Sequence, residues 1–321
     1  MKGKEELKRM KRKVNGFSIA VITMVLVLSF SSACCVRTSP VFGWSNGGYS
    51  TDPFHPKYGT HDWIAEHALD WLSSLEKQSV IGDHVVDYLY GTELPDNGQA
   101  PDGIGDTTKH HVYYFANGAL QDNSSAVRAL EEYSNAVALY TADDVAGAAK
   151  RLGVMSHYIV DVAVFGHVMG SGTAWGSEVH HSDYETYVNE RTNSYEDDFN
   201  SYLVFDGELD EISAYNATLM LANNTTFDNG GTYMCTWMDQ NYDWNYPEFK
   251  NRCGESLNLA VNLIADVLHT FYEEIIVPEF TSVIVLLPAL AVIAVIIIAK
   301  RKKTQLGVHR LVRDIRKRGV D

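Results

Sequence analysis

The stretch Ser156–Gly170, SHYIVDVAVFGHVMG, places two histidines and an aspartate inside an otherwise apolar run. His157 and Asp161 are four residues apart and share one face of a predicted helix, and His167 follows six residues later within reach of that face. A carboxylate among aliphatic side chains is costly unless it is paired or bound to a metal. Because the run contains no Lys or Arg, we favour a divalent cation as the partner of Asp161.

Residues of the types that bind metals recur in three other motifs. VHHSDYETYV places His181 and Glu185 four residues apart on one predicted helical face. GTHDWIAEH contributes His61, and KHHV contributes His110 and His111. Imidazole nitrogen and carboxylate oxygen form a ligand mixture that zinc accepts. A single buried histidine is usually an ordinary core residue, but this many motifs in one domain favour a metal cluster.

The spacing of apolar residues predicts a single all-α domain over residues 44–276. HDWIAEHALDWLSSLEK has helical periodicity, and Gly91 ends a second helix over IGDHVVDYLYG. Further helices are predicted over residues 110–117, 125–139, 143–169, 180–203, 208–222 and 254–276. Residues 223–252 are polar and aromatic and predict a long surface loop, in which Cys235 and Cys253 form either a disulfide or two free thiols.

Both ends of the chain have the composition of membrane segments. Residues 1–43 combine a basic start with an apolar run and end at VFG, which predicts a signal peptide cleaved before Trp44 or an uncleaved anchor. Residues 280–299 are an uncharged run followed by KRKK, which predicts a transmembrane helix with residues 300–321 as a basic cytoplasmic tail. We therefore expect an extracellular helical domain that its C-terminal helix attaches to the cell membrane.

The C-terminal segment VPEFTSVIVLLPALAVIAVIIIAKRKK resembles an archaeal sorting tail with a Pro-Glu-Phe signature, which an archaeosortase cuts at the cell surface. The resemblance implies an archaeal surface protein. Residues 304–321 still follow the basic cluster, whereas such tails usually end close to it.

Charge is distributed unevenly along the chain. The net charge is −15, but residues 44–280 contain 9 basic and 37 acidic side chains, a net charge near −28. A field of this sign repels nucleic acid. The charge therefore argues against nucleic acid as a partner.

The motifs THDWI, SHYIVDVAVFGH and HSDYETYV resemble, in type and order, the metal-binding motifs of bacterial zinc-dependent phospholipases C. The fungal single-strand nucleases share that superfamily. The resemblance covers roughly residues 44–190 and implies one multi-helix domain that holds about three zinc ions.

The resemblance implies nine zinc ligands in this sequence. They are Trp44, His61, Asp96, His111, His157, Asp161, His167, His181 and Glu185. Trp44 would bind through its free amino group and carbonyl after signal cleavage. At two positions a neighbour remains an alternative: HVYY favours His111 over His110, and GTELPD favours Asp96 over Asp102. Asp96 is also the candidate for assisting proton transfer.

The function that this resemblance implies is phosphodiester hydrolysis of the phospholipase C type, in which a metal-activated water attacks a phospholipid. Two alternatives stay open. One is a single-strand nuclease or phosphatase of the same superfamily. The other is a metal-binding surface protein without catalytic activity.

Overall fold

Helices dominate the part of the chain that the structure describes, which is residues 54–55, 57–97, 104, 107–192 and 198–276 of a computed structural model. The predicted segments 1–43, 280–299 and 300–321 lie outside these residues, as do Trp44 and Asp102. Within the described residues, no helix is both long enough and apolar enough to cross a membrane.

The secondary structure consists of helices and one small sheet. The helices are α1 (Thr60–Trp71), α2 (Ser74–Val80), α3 (Val85–Glu93), α4 (Ser124–Thr141), α5 (Val145–Asp161), α6 (His181–Thr192), α7 (Ala214–Phe227) and α8 (Cys235–Gln240). A further helix, α9, covers residues 247–276. The 3-10 helices are Phe165–His167 and Asn200–Tyr202, and an antiparallel pair is formed by β1 (Tyr113–Tyr114) and β2 (Leu120–Asp122). The described residues therefore confirm a mostly helical domain.

Helix α5 runs through the centre of the domain. Every residue from Leu152 to Asp161 is buried, and the helix packs against α4 and α3. A helix that is buried on all sides tolerates few polar side chains, and those it carries need partners. The last turns of α5 nevertheless contain His157 and Asp161, so the fold brings these two side chains to the centre of its core.

Two glycines allow the backbones of α3 and α5 to touch. A Cβ atom added to Gly153 would lie 1.9 Å from the carbonyl oxygen of Tyr88, and one added to Gly91 would lie 2.1 Å from the carbonyl oxygen of Lys150. Any larger residue at either position would push the two helices apart. This close contact fixes the end of α3 beside the polar end of α5.

An extended segment, residues 203–213, lies along α9 and is held by a row of polar side chains. Asn258, Asn262, Asp266 and Thr270 are four residues apart, so they form one stripe on the helix. Each accepts a hydrogen bond from a backbone N–H of the segment, at 2.8–3.2 Å; the donors are Val204, Asp206, Asp210 and Ile212. The stripe therefore supplies hydrogen-bond partners to a segment that makes none within a helix or strand.

The hairpin corrects one sequence-based prediction. Residues 110–117 do not form a helix; the chain is extended there, and Phe115 N donates to the carbonyl oxygen of Ala119 at 2.8 Å. Gly118 has a φ of +81°, which allows the tight turn, and the run of aromatic residues before it favours a strand.

Further predictions about secondary structure are corrected, and the open question about the cysteines is answered. Helix α5 ends at Asp161 instead of residue 169, since the β-branched residues that follow favour helix less. The predicted loop over 223–252 instead contains the end of α7, all of α8 and the start of α9. Cys235 and Cys253, for which a disulfide was one alternative, are buried free thiols.

The α3–α5 contact generates a stability prediction. Gly153→Ala should lower the free energy of unfolding by about 1–3 kcal/mol, because the added methyl group meets backbone atoms that cannot move independently. Urea denaturation followed by circular dichroism measures this change. The control is Gly172→Ala, where an added Cβ has no atom within 4 Å. Equal stability of the two variants would contradict the close packing.

Candidate metal centre

Three groups of buried imidazoles and carboxylates meet at the end of α5. Within each group, one ligand atom from each residue lies within 4.8 Å of the others. The first triad is His61, His157 and Asp161; the second triad is Asp96, His110 and His157; the third triad is His167, His181 and Glu185. The described residues thus bring together side chains from α1, α5 and α6 and from the segments that follow α3 and α5.

The first triad contains buried polar atoms without a partner. His61 Nε2 lies 3.4 Å from Asp161 Oδ1, and both side chains have 0% exposure. Among the described residues, neither ring nitrogen of His61 nor Asp161 Oδ1 has a hydrogen-bond partner. Buried polar atoms are almost always satisfied, so the facing pair of His61 Nε2 and Asp161 Oδ1 fits a bound cation.

The second triad surrounds the other oxygen of the same aspartate. His110 Nδ1 lies 2.7 Å from Asp161 Oδ2, and His157 Nε2 lies 3.3 Å from it. Asp96 Oδ1 is 3.7 Å from each of these two ring nitrogens. The Asp161 carboxylate is therefore shared, with one oxygen directed to each of two neighbouring triads.

The orientation of His157 is set by the backbone of α3. Its Nδ1 lies 2.6 Å from the carbonyl oxygen of Thr92, so the Nδ1–H is assigned as the donor. This hydrogen bond leaves Nε2 with a free lone pair directed at Asp161 and Asp96. A ligand histidine whose other nitrogen donates to a carbonyl is the usual arrangement at metal sites.

The third triad is completed by a glycine. His181 Nε2 lies 2.7 Å from Glu185 Oε1 and 3.2 Å from His167 Nε2. A Cβ atom on Gly166 would lie 2.4 Å from Cγ of His181, so the imidazole fits only because residue 166 has no side chain. On the other side of the ring, Nδ1 faces Glu178 Oε1 at 3.4 Å.

The electrostatics of the first triad suit a cation. Burial lowers the pKa of His61 to about 3, so its imidazole is neutral at physiological pH. Burial alone would raise the pKa of Asp161, but the neighbouring imidazoles, His157 foremost, hold it well below its usual range. A neutral imidazole beside an ionised carboxylate is the pair of protonation states that metal binding requires.

In the third triad, His181 holds its proton more tightly than His61 does in the first triad. Burial alone would lower the pKa of His181, but the carboxylates of Glu185 and Glu178 raise it to about 10. A cation that enters this triad must displace that proton.

Seven of the nine predicted ligands lie in the three triads. They are His61, Asp96, His157, Asp161, His167, His181 and Glu185. Trp44 lies outside the described residues. The remaining predicted ligand, His111, lies outside the triads: its Nε2 is 3.4 Å from Asp122 Oδ1 and its side chain is 26% exposed. His110, the alternative, occupies the second triad.

The extended backbone explains why His110 lies in a triad and His111 does not. Side chains alternate between two faces of a strand, and His110, Val112 and Tyr114 are buried whereas His111 and Tyr113 are partly exposed. A helical interpretation of the same residues conceals this alternation. The Thr92 carbonyl and Gly166 were also missed, because ligand-type residues alone do not reveal backbone partners or close contacts.

The two adjacent histidines provide a matched test of the second triad. His110→Asn should lower the zinc content of the purified protein, because it removes a ring nitrogen beside Asp161. His111→Asn should leave the content unchanged, and elemental analysis of both variants measures the difference. The reverse result would restore His111 as the ligand.

The close approach of Gly166 generates a prediction for the third triad. Gly166→Ala should displace the His181 ring and remove about one zinc ion per chain while the helix content stays the same. Elemental analysis and circular dichroism measure the two quantities. Gly172→Ala is the control, and an unchanged zinc content in Gly166→Ala would show that the ring does not need this space.

A sequence model of the family described as Zinc dependent phospholipase C matches residues 60–259. Among solved structures, the chain is similar to an alpha toxin from Clostridium absonum, with 16% identity and a TM-score of 0.45 over 68% of this chain and 65% of that chain. It is also similar to the Clostridium perfringens alpha-toxin isolated from avian strain SWCP, with 14% identity and a TM-score of 0.44 over 70% of this chain and 65% of that chain.

The chain spans 65% of the length of each of these two structures, which is less than two thirds. The search of curated proteins gave no match. The family match, by contrast, covers more than half of the chain and includes every triad residue from His61 to Glu185. The family and the three buried triads together support zinc as the metal. The chain belongs to the zinc-dependent phospholipase C family.

Proposed function

We propose that this chain is a phosphodiester hydrolase of the phospholipase C type that depends on zinc. The observation that carries the proposal is the shared carboxylate of Asp161, whose two oxygens face two different triads. The third triad is close by, since the rings of His110 and His167 have centroids 6.4 Å apart. Several neighbouring cations at one buried site are suited to binding a phosphodiester.

The described side chains would hold about three zinc ions. His61 and Asp161 of the first triad would hold one ion, with the Trp44 main chain as the further predicted ligand. His157 would bind only the second ion, because its Nδ1 donates to Thr92 and its Nε2 alone is available. The second triad together with Asp161 would hold another, and the third triad would hold the last. Zinc, when bound, lowers the pKa of water and polarises phosphate oxygens, which is the chemistry that phosphodiester hydrolysis needs.

The side chains of the site would perform two tasks, which are to position the cations and to transfer a proton. The triads contain no Lys or Arg, so their imidazoles and carboxylates act on phosphate only through the cations that they position. Asp96 is the candidate for proton transfer: burial, the largest effect, raises its pKa, so its carboxylate accepts a proton more readily than an exposed aspartate does. Its Oδ1 lies 3.7 Å from both His110 Nδ1 and His157 Nε2.

We infer a phospholipid substrate and a location at the cell membrane. The substrate class rests on the family, and the location rests on the sequence of residues 1–43 and 280–299, which favours export and a C-terminal anchor. The surplus of acidic residues in 44–280 weighs against a nuclease of the same superfamily.

The test uses the full-length protein in detergent. It should hydrolyse a dispersed phosphatidyl lipid in preference to single-stranded DNA or a phosphate monoester. A chelator should abolish this activity, and added zinc should restore it. Asp161→Asn should lower the rate more than about a hundredfold, because the loss of a shared ligand removes several kcal/mol of charge stabilisation.

His67→Asn is the matched control, since His67 pairs with Asp70 on α1 outside the triads and should keep its activity. Preferential cleavage of DNA or of the monoester would replace the phospholipase assignment with the nuclease or phosphatase. A protein that binds zinc and cleaves none of the three substrates would be a metal-binding surface protein.

A further inference from the structure

A buried carboxyl group lies beside the metal centre but belongs to none of the triads. Asp62 follows His61 on α1 and has 0% exposure. Its Oδ2 accepts a hydrogen bond from Gly59 N at 2.9 Å, and its Oδ1 accepts one from the Thr92 hydroxyl, also at 2.9 Å. The first contact lies within the first turn of α1, whereas the second reaches the last turn of α3.

Thr92 extends this connection to α5. Its carbonyl oxygen accepts the hydrogen bond from His157 Nδ1 at 2.6 Å, while its single hydroxyl hydrogen is shared between Asp62 Oδ1 and the carbonyl oxygen of Leu89, which lies at 2.7 Å. One residue of α3 therefore bonds to Asp62 through its side chain and to His157 through its backbone. Three helices are joined at this point by hydrogen bonds between fully buried groups.

His61 and His157, which lie at the two ends of this connection, both face the carboxylate of Asp161. The rings of His61 and His157 are stacked, with centroids 3.9 Å apart and an angle of 7° between their planes. Their Nε2 atoms approach opposite oxygens of Asp161, at 3.4 Å and 3.3 Å. Parallel rings can face the two oxygens only if α1 and α5 keep one relative position.

We infer that Asp62 is a positioning residue of the metal centre, which through Thr92 holds His61 and His157 in the spacing that lets both bind metal around Asp161. Insofar as it concerns the reaction, this inference rests on the proposed function. The contacts distinguish Asp62 from an ordinary helix-capping residue. Asp144 caps α5 through Gly147 N at 2.9 Å, but it is exposed and, among the hydrogen bonds of the described residues, its side chain bonds only within its own helix end.

The test compares two aspartates in the full-length protein, Asp62→Ala and Asp144→Ala. Each variant loses a cap at the start of a ligand-bearing helix, so both should melt at a lower temperature. Only Asp62→Ala should weaken zinc binding, by about 10–100-fold, which is the usual cost of removing a group that orients a metal ligand. Competition with a chromophoric chelator measures the affinity. The visible spectrum of the cobalt-substituted protein, which reports ligand geometry, should change in Asp62→Ala alone.

Two further variants keep the inference testable if Asp62→Ala does not fold. Asp62→Asn retains an acceptor for Gly59 N and an amide that can donate to the Thr92 hydroxyl, so its zinc affinity should stay close to that of the wild type. Thr92→Val keeps the carbonyl that bonds His157 but removes the hydroxyl, so its affinity should fall.

Equal zinc affinity in Asp62→Ala and Asp144→Ala, or an unchanged affinity in Thr92→Val, would overturn the inference. These readouts do not depend on turnover. If the wild type binds zinc but hydrolyses no phosphodiester, the proposed function fails, and the affinities still decide whether Asp62 positions the ligands.

Discussion

The structure depends on one electrostatic constraint, which is an ionised carboxylate enclosed in an apolar core. Asp161 has no exposure and lies among imidazoles, with no Lys or Arg in the triads around it. Its burial is costly unless positive charge compensates it, and the geometry of the triads suits bound cations. Burial lowers the pKa of His61 to about 3, so this imidazole supplies a lone pair and no positive charge. The stability of the fold and the zinc dependence of the family are therefore linked at this carboxylate.

The rest of the domain keeps the ligands in place around this group. Gly91 and Gly153 bring α3 against α5, which places the Thr92 carbonyl where it orients His157. The 3-10 helix after α5 returns His167 towards the centre, and Gly166 leaves the space that the His181 ring occupies. Backbone groups and glycines thus determine the geometry of the metal centre together with the ligands. A ligand nitrogen points at the metal position only when another atom of its ring is held in place.

The sequence predicted the features that follow from helical periodicity. Pairs such as His157 and Asp161 share a face because four residues make about one turn, and this rule needs no knowledge of the remaining chain. The sequence did not reveal that His110, and not His111, lies in a triad, because this placement depends on the strand alternation of the hairpin and on the turn at Gly118. The Thr92 carbonyl could not be predicted at all, since every residue has a carbonyl and only tertiary packing selects one. The free-thiol state of Cys235 and Cys253 likewise depends on where the fold places the two residues, which their spacing in the sequence does not reveal.

The polar stripe on α9 limits the insertions and deletions that the sequence of this protein can accept during evolution. Surface segments without helix or strand normally accept inserted or deleted residues. Residues 203–213 differ, because their N–H groups must meet side chains placed at intervals of one helical turn. A one-residue length change would misalign the chain beyond it, so homologues should conserve the length of this segment more strictly than its composition.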